Sequence, residues 1–333
     1  MRAVIFTRSP GSGDRGGTFM RGVVAELVER GFEVKVLTEG LSLDIELEGT
    51  DLVLVAERIE PELARRIGRH RARHGGYRLL FHDTRGRALT APEAMARYDL
   101  GDYDGVLAPG EVVRRAYLER GWAGRAWTWH EAADTRVFRP IEGVEPEADL
   151  VWLGDWGDRE RRAELDEFLL RPARRLRLHG SVHGDRFSRR ARLRLRLSGL
   201  RNREPVPASD LPALYARHRL TVHIPRRRFV DALPGIPTIR PFEAMACGIP
   251  LISSPWDDCE GLFRVERDYL LARDAAETRE AMQAIVEYPE LAAKLRESGL
   301  ETIRARHTCA HRVDELLAID AELRGLPAVE ALG

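Results

Sequence analysis

Most of the chemistry legible in this chain lies between residues 235 and 252, which read Gly-Ile-Pro-Thr-Ile-Arg-Pro-Phe-Glu-Ala-Met-Ala-Cys-Gly-Ile-Pro-Leu-Ile. Pro237 and Pro241 bound a tight connector, and Pro241 suits the first turn of a helix, where a missing N–H costs nothing. The spacing predicts a short helix over 242–247. Gly248 should end it, because glycine accepts the left-handed backbone of a helix C-terminus. Residues 249–252 then read as a short buried strand with Pro250 at its start. Glu243 thereby falls in the first helical turn, beside free backbone N–H groups of the kind that attract phosphates. A carboxylate there can also accept two hydrogen bonds from a sugar diol. The plainer account of Glu243 is a carboxylate that complements the helix dipole, worth under about 1 kcal/mol.

Four other groups have residue types suited to the same task. Gly16 and Gly17 stand in a glycine-rich loop after the first apolar run, where glycine lets backbone approach a ligand. That loop has neither a G-K-[ST] ending nor a G-x-G-x-x-G pattern, so it supports no P-loop and no dinucleotide site. Asp155, Trp156, Gly157, Asp158 and Arg159 follow the run 149–153 and lead into an arginine-rich helix. Ligands of open parallel sheets bind beyond the carboxyl ends of the strands. Arg159 and Arg162 fall there, and arginine pairs bidentately with diphosphate. Arg226, Arg227 and Arg228 follow the run 220–224 in the same sense, and Arg240 precedes Glu243; charge runs otherwise form solvated surface. His82 and Asp83 end the run 78–81, with His82 suited to hydrogen-bond a sugar and Asp83 to act as a base. A capping aspartate and a satisfied histidine are the plainer reading of that pair. His130 and Glu131 invite a weaker version of it.

To position these residues the chain must alternate strand and helix. Its first half predicts strands at 3–6, 33–37, 52–55, 78–81, 105–108 and 126–128. Helices are expected at 18–30, 61–74 and 111–120. The second half predicts strands at 149–153, 176–179, 220–224, 251–253 and 269–271. Its helices are expected at 160–170, 211–216, 276–288, 289–306 and 309–323. Strands separated by helices of this length imply right-handed crossovers and parallel sheets. Residues 192–197 alternate like a strand, while Ser188 and Gly199 mark helix ends.

The 333 residues suffice for two domains of ordinary size. Acidic and basic residues balance at 53 each, and all the basic ones but Lys35 and Lys294 are arginine. Zero net charge argues against nucleic acid as the main partner. Cys247, Cys259 and Cys309 lack metal-ligand spacing and read as reduced thiols. No apolar run nears the roughly 20 residues of a membrane span, so a cytoplasmic protein is expected.

The run from Gly235 to Ile252 resembles the donor-binding signature of the group-1 nucleotide-sugar glycosyltransferases, and most closely their spore-maturation CgeB-like branch. The matching core is Glu243–Ala244–Met245–Ala246–Cys247–Gly248–Ile249–Pro250. Arg30–Gly31–Phe32–Glu33–Val34 and Asp134–Thr135–Arg136–Val137–Phe138–Arg139–Pro140 fit two further family patterns, the second at the crossing between domains. The resemblance implies an α/β GT-B fold with two Rossmann-like parallel-sheet domains and the active site in the cleft between them. Residues 1–140 would form the acceptor side and 147–308 the donor side, with a last helix over 309–333 returning to the first domain. It implies a metal-independent, retaining transferase without cofactor, taking a nucleotide-diphosphate sugar and an unknown acceptor. Glu243 would grip the ribose, with Thr238, Ile239, Arg240, Gly235, Arg159, Arg226, Gly16 and Gly17 around the donor, and His82 and Asp83 would be the catalytic candidates. The family helix at 192–197 favours helix there. One departure stands out, for the family's second glutamate, which contacts the donor sugar, is Gly235 here. A nucleotide-sugar epimerase and a non-catalytic nucleotide-sugar-binding protein are the alternatives.

Overall fold

The computed structural model describes residues 1–7, 17–38 and 42–326. They divide into two compact units. The first holds Met1–Glu131, Ala232–Ile236 and the chain from Cys309; the second holds Ala132–Asp231 and Pro237–Thr308. The first unit's main segment thus ends at Glu131 rather than at residue 140. A short excursion also joins it that the sequence did not announce. Leu233 belongs to the first unit's core, and a Cβ on Gly86 would meet it at 2.6 Å.

The first unit is built on β1 (Arg2–Phe6), β2 (Glu33–Leu37), β3 (Leu52–Ala56), β4 (Arg78–His82), β5 (Gly105–Ala108) and β6 (Ala126–Thr128). They form one parallel sheet in the order β2-β1-β3-β4-β5-β6. A sheet covered by helices on both faces needs apolar residues at successive positions rather than alternate ones. β3, Leu-Val-Leu-Val-Ala, is buried at every residue for that reason. The helix Cys309–Leu323 packs on the helix Gly17–Glu29 of this unit. Trp129 Nε1 donates to the Arg312 carbonyl at 2.8 Å, and Arg30 pairs with Asp314.

The second unit carries β7 (Ala148–Leu153), β8 (Gly180–His183), β9 (Leu200–Arg203), β10 (His218–His223), β11 (Leu251–Ser253) and β12 (Leu270–Leu271). Their order is β12-β11-β10-β7-β8-β9, again all parallel. The strand expected at 176–179 is absent there. The helix after β7 instead continues through a π-turn, Asp166–Leu170, to Leu176, and Arg177 ends it in the left-handed region at φ +56°. The strand starts at Gly180. β9 was not foreseen, since Leu-Arg-Asn-Arg has only one apolar residue, as an edge strand permits. Residues 189–197 are helical, capped by Ser188 Oγ accepting from Ala191 N at 3.2 Å. Among the described residues, no helix is long and apolar enough to cross a membrane.

Gly180 shows how closely β7 and β8 approach. A Cβ there would overlap the carbonyl oxygen of Leu150, its partner on β7. Gly180→Ala should therefore destabilise the protein by about 2–3 kcal/mol, the range of an overpacked core site. Gly124→Ala, where an added Cβ meets nothing within 4 Å, should leave the urea midpoint unchanged. Equal midpoints for the two variants would show that the β7–β8 ladder gives way without cost.

Candidate functional site

The strand order of the second unit reverses between β7 and β10. Loops leaving such a pair diverge to opposite faces of the sheet, and the crevice beyond their carboxyl ends is where open α/β sheets bind ligands. The two loops here are tied together by an ion pair. Asp158 Oδ1 caps the helix Arg159–Leu165 by accepting from Arg161 N at 2.9 Å, and its Oδ2 takes a hydrogen bond from Arg226 Nη1 at 3.0 Å. The capping bond to Arg161 N, with Arg226 after it, holds the Asp158 carboxyl below its ordinary value. Gly157 allows this turn. It sits at φ +66°, and a Cβ on it would lie 2.7 Å from Arg161 and 3.1 Å from Arg226 Nη2.

Arg161 braces the same crevice from below. Its guanidinium donates to the Ile224 carbonyl at 2.6 Å and to Glu164 at 3.0 Å, and lies over the Trp152 ring at 5.2 Å. Glu164 in turn accepts from the Arg227 backbone N–H at 2.8 Å.

Next to this crevice stands the helix of the signature run. It spans Ile239–Ala246, starting earlier than its prolines suggest, with Thr238 as N-cap and Oγ1 accepting from Arg240 N at 3.3 Å. Pro241 is in the first turn, as expected, but Glu243 is in the second. Gly248, at φ +68°, ends the helix as its sequence implies. Its N–H bonds Met245 O and that of Ile249 bonds Ala244 O, the two bonds of a Schellman motif.

The cap is held from the sheet side by His223, the last residue of β10. Its Nε2 lies 3.1 Å from Thr238 Oγ1 and its Nδ1 2.9 Å from Ser253 Oγ at the end of β11. Burial, then nearby Arg161, lowers the His223 pKa to about 3, so the ring is neutral and donates to one hydroxyl while accepting from the other. Sequence reasoning missed His223 and Ser253. The carboxyl-end rule that singled out Arg226 would have found both.

Glu243 is 1% exposed and ion-paired with Arg240. Burial alone would lower the Arg240 pKa, but Glu243 and the Tyr215 hydroxyl hold it up. Thr238, Ile239, Arg240 and Glu243 therefore lie on one helix and its cap, while Arg226 belongs to a separate cluster with Asp158 in the same unit. Arg159 does not join it. It is the first residue of its helix and points into solvent, whereas Arg162 folds back to the Asp158 carbonyl at 2.9 Å. Gly235, at φ +82°, belongs to the first unit's excursion rather than to this helix.

The remaining candidates lie in the first unit. Gly17 opens the helix Gly17–Glu29, and Gly16 falls outside the described residues. His82 ends β4 at 2% exposure, edge-on to Trp129 and Phe19 with ring centroids 4.8 and 6.1 Å away. Burial drives its pKa down to about 3, and its Nδ1 has no hydrogen-bond partner among the described residues. Asp83 as a base toward an acceptor must be corrected. Both of its oxygens are engaged, by the N–H groups of Arg85, Arg87 and Ala88 at 3.0–3.2 Å and by the Tyr117 hydroxyl at 3.2 Å, and none of it is exposed. It closes the turn after β4.

Residues 159–318 match the family model described as glycosyl transferase-like. No curated protein matches this sequence. Solved structures that resemble the chain include sucrose-phosphate synthase from Thermosynechococcus elongatus, at TM-score 0.68 and 16% identity over 98% of this chain and 99% of that one. Anabaena HepE in complex with UDP and glucose matches at 0.63 and 13%, over 95% and 99%. An alpha-glucosyltransferase in complex with UDP and a DNA containing an HMU base matches at 0.68 and 12%, over 96% and 99%. The fold is therefore GT-B, two parallel six-stranded sheets with flanking helices.

Proposed function

We propose that this protein transfers a sugar from a nucleotide-diphosphate sugar to an acceptor, with the donor on the second unit. One observation carries the reading. Arg226, fixed by Asp158, and the helix N-terminus capped by Thr238 flank the crevice at the β7/β10 strand reversal. Together they supply a fixed cation and oriented N–H groups, which is what a diphosphate needs. UDP in the HepE and alpha-glucosyltransferase complexes supports a uridine nucleotide as the first donor to try. The 235–252 run supports a place among the group-1 transferases near the CgeB-like branch, and the group-1 resemblance supports a retaining outcome.

Breaking the bond between the sugar carbon and the phosphate oxygen leaves negative charge on the diphosphate. Arg226 and the amides after Thr238 would meet that charge in place, without a metal ion and without reorganising. The committed oxygens of Asp83 favour a second reading, a nucleotide-sugar-binding protein that lacks turnover. Donor hydrolysis or transfer across an acceptor panel that includes hydroxylated DNA separates the two.

Arg226→Ala should weaken nucleotide diphosphate binding by about 1.5–3 kcal/mol, a lost charged hydrogen bond, and leave nucleoside binding unchanged. Arg159→Ala should change neither. Calorimetric titration of both ligands decides it, and equal losses for the two in Arg226→Ala would take that arginine away from the phosphates.

Donor binding should also persist in excess chelator. If it vanishes and a divalent ion restores it, charge compensation belongs to a metal.

Glu243→Gln tests the ribose contact. With wild type, a 2′,3′-dideoxy nucleotide should bind more weakly than its parent by about 1.5–3 kcal/mol. In the variant the same sugar change should cost little more, since both alterations remove one contact. Because the substitution also unpairs Arg240, inorganic diphosphate serves as the reference ligand for any general loosening of the site. Additive losses would detach Glu243 from the ribose.

A further inference from the structure

In the first unit, the helix Pro61–His74 ends on two histidines one turn apart, and Asp44 from the short helix Leu43–Glu46 faces both. Asp44 Oδ1 lies 3.1 Å from His70 Nε2 and 3.7 Å from His74 Nε2. One ligand atom from each of the three falls within 4.8 Å of the others. These are close to the edges of a coordination polyhedron, since ligands about 2.0–2.1 Å from a tetrahedral Zn2+ stand roughly 3.3 Å apart.

His70 is aimed before any ion arrives. Its Nδ1 lies 2.9 Å from the Tyr77 hydroxyl, and the two rings stack at 5.9 Å and 25°. Tyr77 is only 2% exposed, so it holds the imidazole with Nε2 toward Asp44. A hydrogen bond to the second ring nitrogen is how proteins orient metal-bound histidines.

The surroundings suit a cation. His74 stands in the last turn of its helix, where the helix dipole favours positive charge. The groove beside the two histidines is also lined by Glu48 and Asp51 and, among the described residues, by no lysine or arginine. It precedes β3 and β4, at the amino ends of those strands, the opposite edge of the sheet from His82. That location separates it from the end of an open sheet where substrates bind.

We infer that Asp44, His70 and His74 form a binding site for a divalent transition-metal ion, with water completing its coordination. The ion joins the helix Leu43–Glu46 to the end of the helix Pro61–His74. Carboxylate and imidazole ligands suit Zn2+.

The test uses the untagged full-length protein, stripped with chelator and titrated with Zn2+ in a calorimeter. The expected result is one equivalent bound, with affinity reduced at least about tenfold in His74→Ala and in Asp44→Asn, and about tenfold in Tyr77→Phe. Asp44 and His74 are exposed, so their variants should melt at the wild-type temperature without metal. Zn2+ should raise the melting temperature of wild type and not that of His74→Ala. Co2+ should give the visible absorption of a low-coordinate site in wild type alone. Undiminished Zn2+ affinity in His74→Ala and Asp44→Asn, or no binding in wild type, overturns the site.

Discussion

Two charges that the second unit takes out of water, Arg240 and Glu243, set the position of the helix beside the crevice at the β7/β10 reversal. Each would be costly to bury alone, and removing one partner of such a pair typically costs about 3–5 kcal/mol because the other is stranded. They satisfy one another along a single helix, and Tyr215 adds its hydroxyl to Arg240 from the helix Leu211–Ala216. The helix that carries them is therefore anchored in its middle. His223 anchors its start through Thr238, and the bonds around Gly248 close its end. An anion-binding terminus works only if its N–H groups already point at the ligand. Here all three parts of the helix are held by contacts within the second unit.

The electrostatics of the crevice follow from which groups can change charge. His223 is buried and neutral, so it orders two hydroxyls without contributing a cation. Arg161 is braced by Glu164 and a carbonyl, turned toward the protein interior. Positive charge in the crevice thus comes from Arg226 and from the dipole of the helix after Thr238.

The alternation of strand and helix was legible because buried parallel strands leave uninterrupted apolar runs, as in β1 and β3. β9 left no such mark, since an edge strand does not need two apolar faces. The missed boundary at 176–180 has a different cause: the π-turn at 166–170 and the left-handed Arg177 lengthen a helix in ways that residue type does not encode. At the candidate site, Arg226 and the Thr238–Glu243 segment were readable from their place after strands and between prolines. The pairing of Asp158 with Arg226 was not, because it depends on β7 and β10 being neighbours although far apart in sequence. The same holds for His223 with Ser253.

Asp83 illustrates why position after a strand is not sufficient for reactivity. It occupies a carboxyl end, as Arg226 does, yet its lone pairs are spent on three backbone N–H groups and Tyr117. Burial raises its pKa while those same donors pull it down. A base must offer a free lone pair to the proton it removes, and Asp83 offers none without opening the turn after β4. In the proposed transfer the demand on the donor side is different. A departing diphosphate is already a stable anion, so it needs fixed positive charge more than a proton. Arg226, held by Asp158, and the anchored helix terminus would meet that demand from fixed positions.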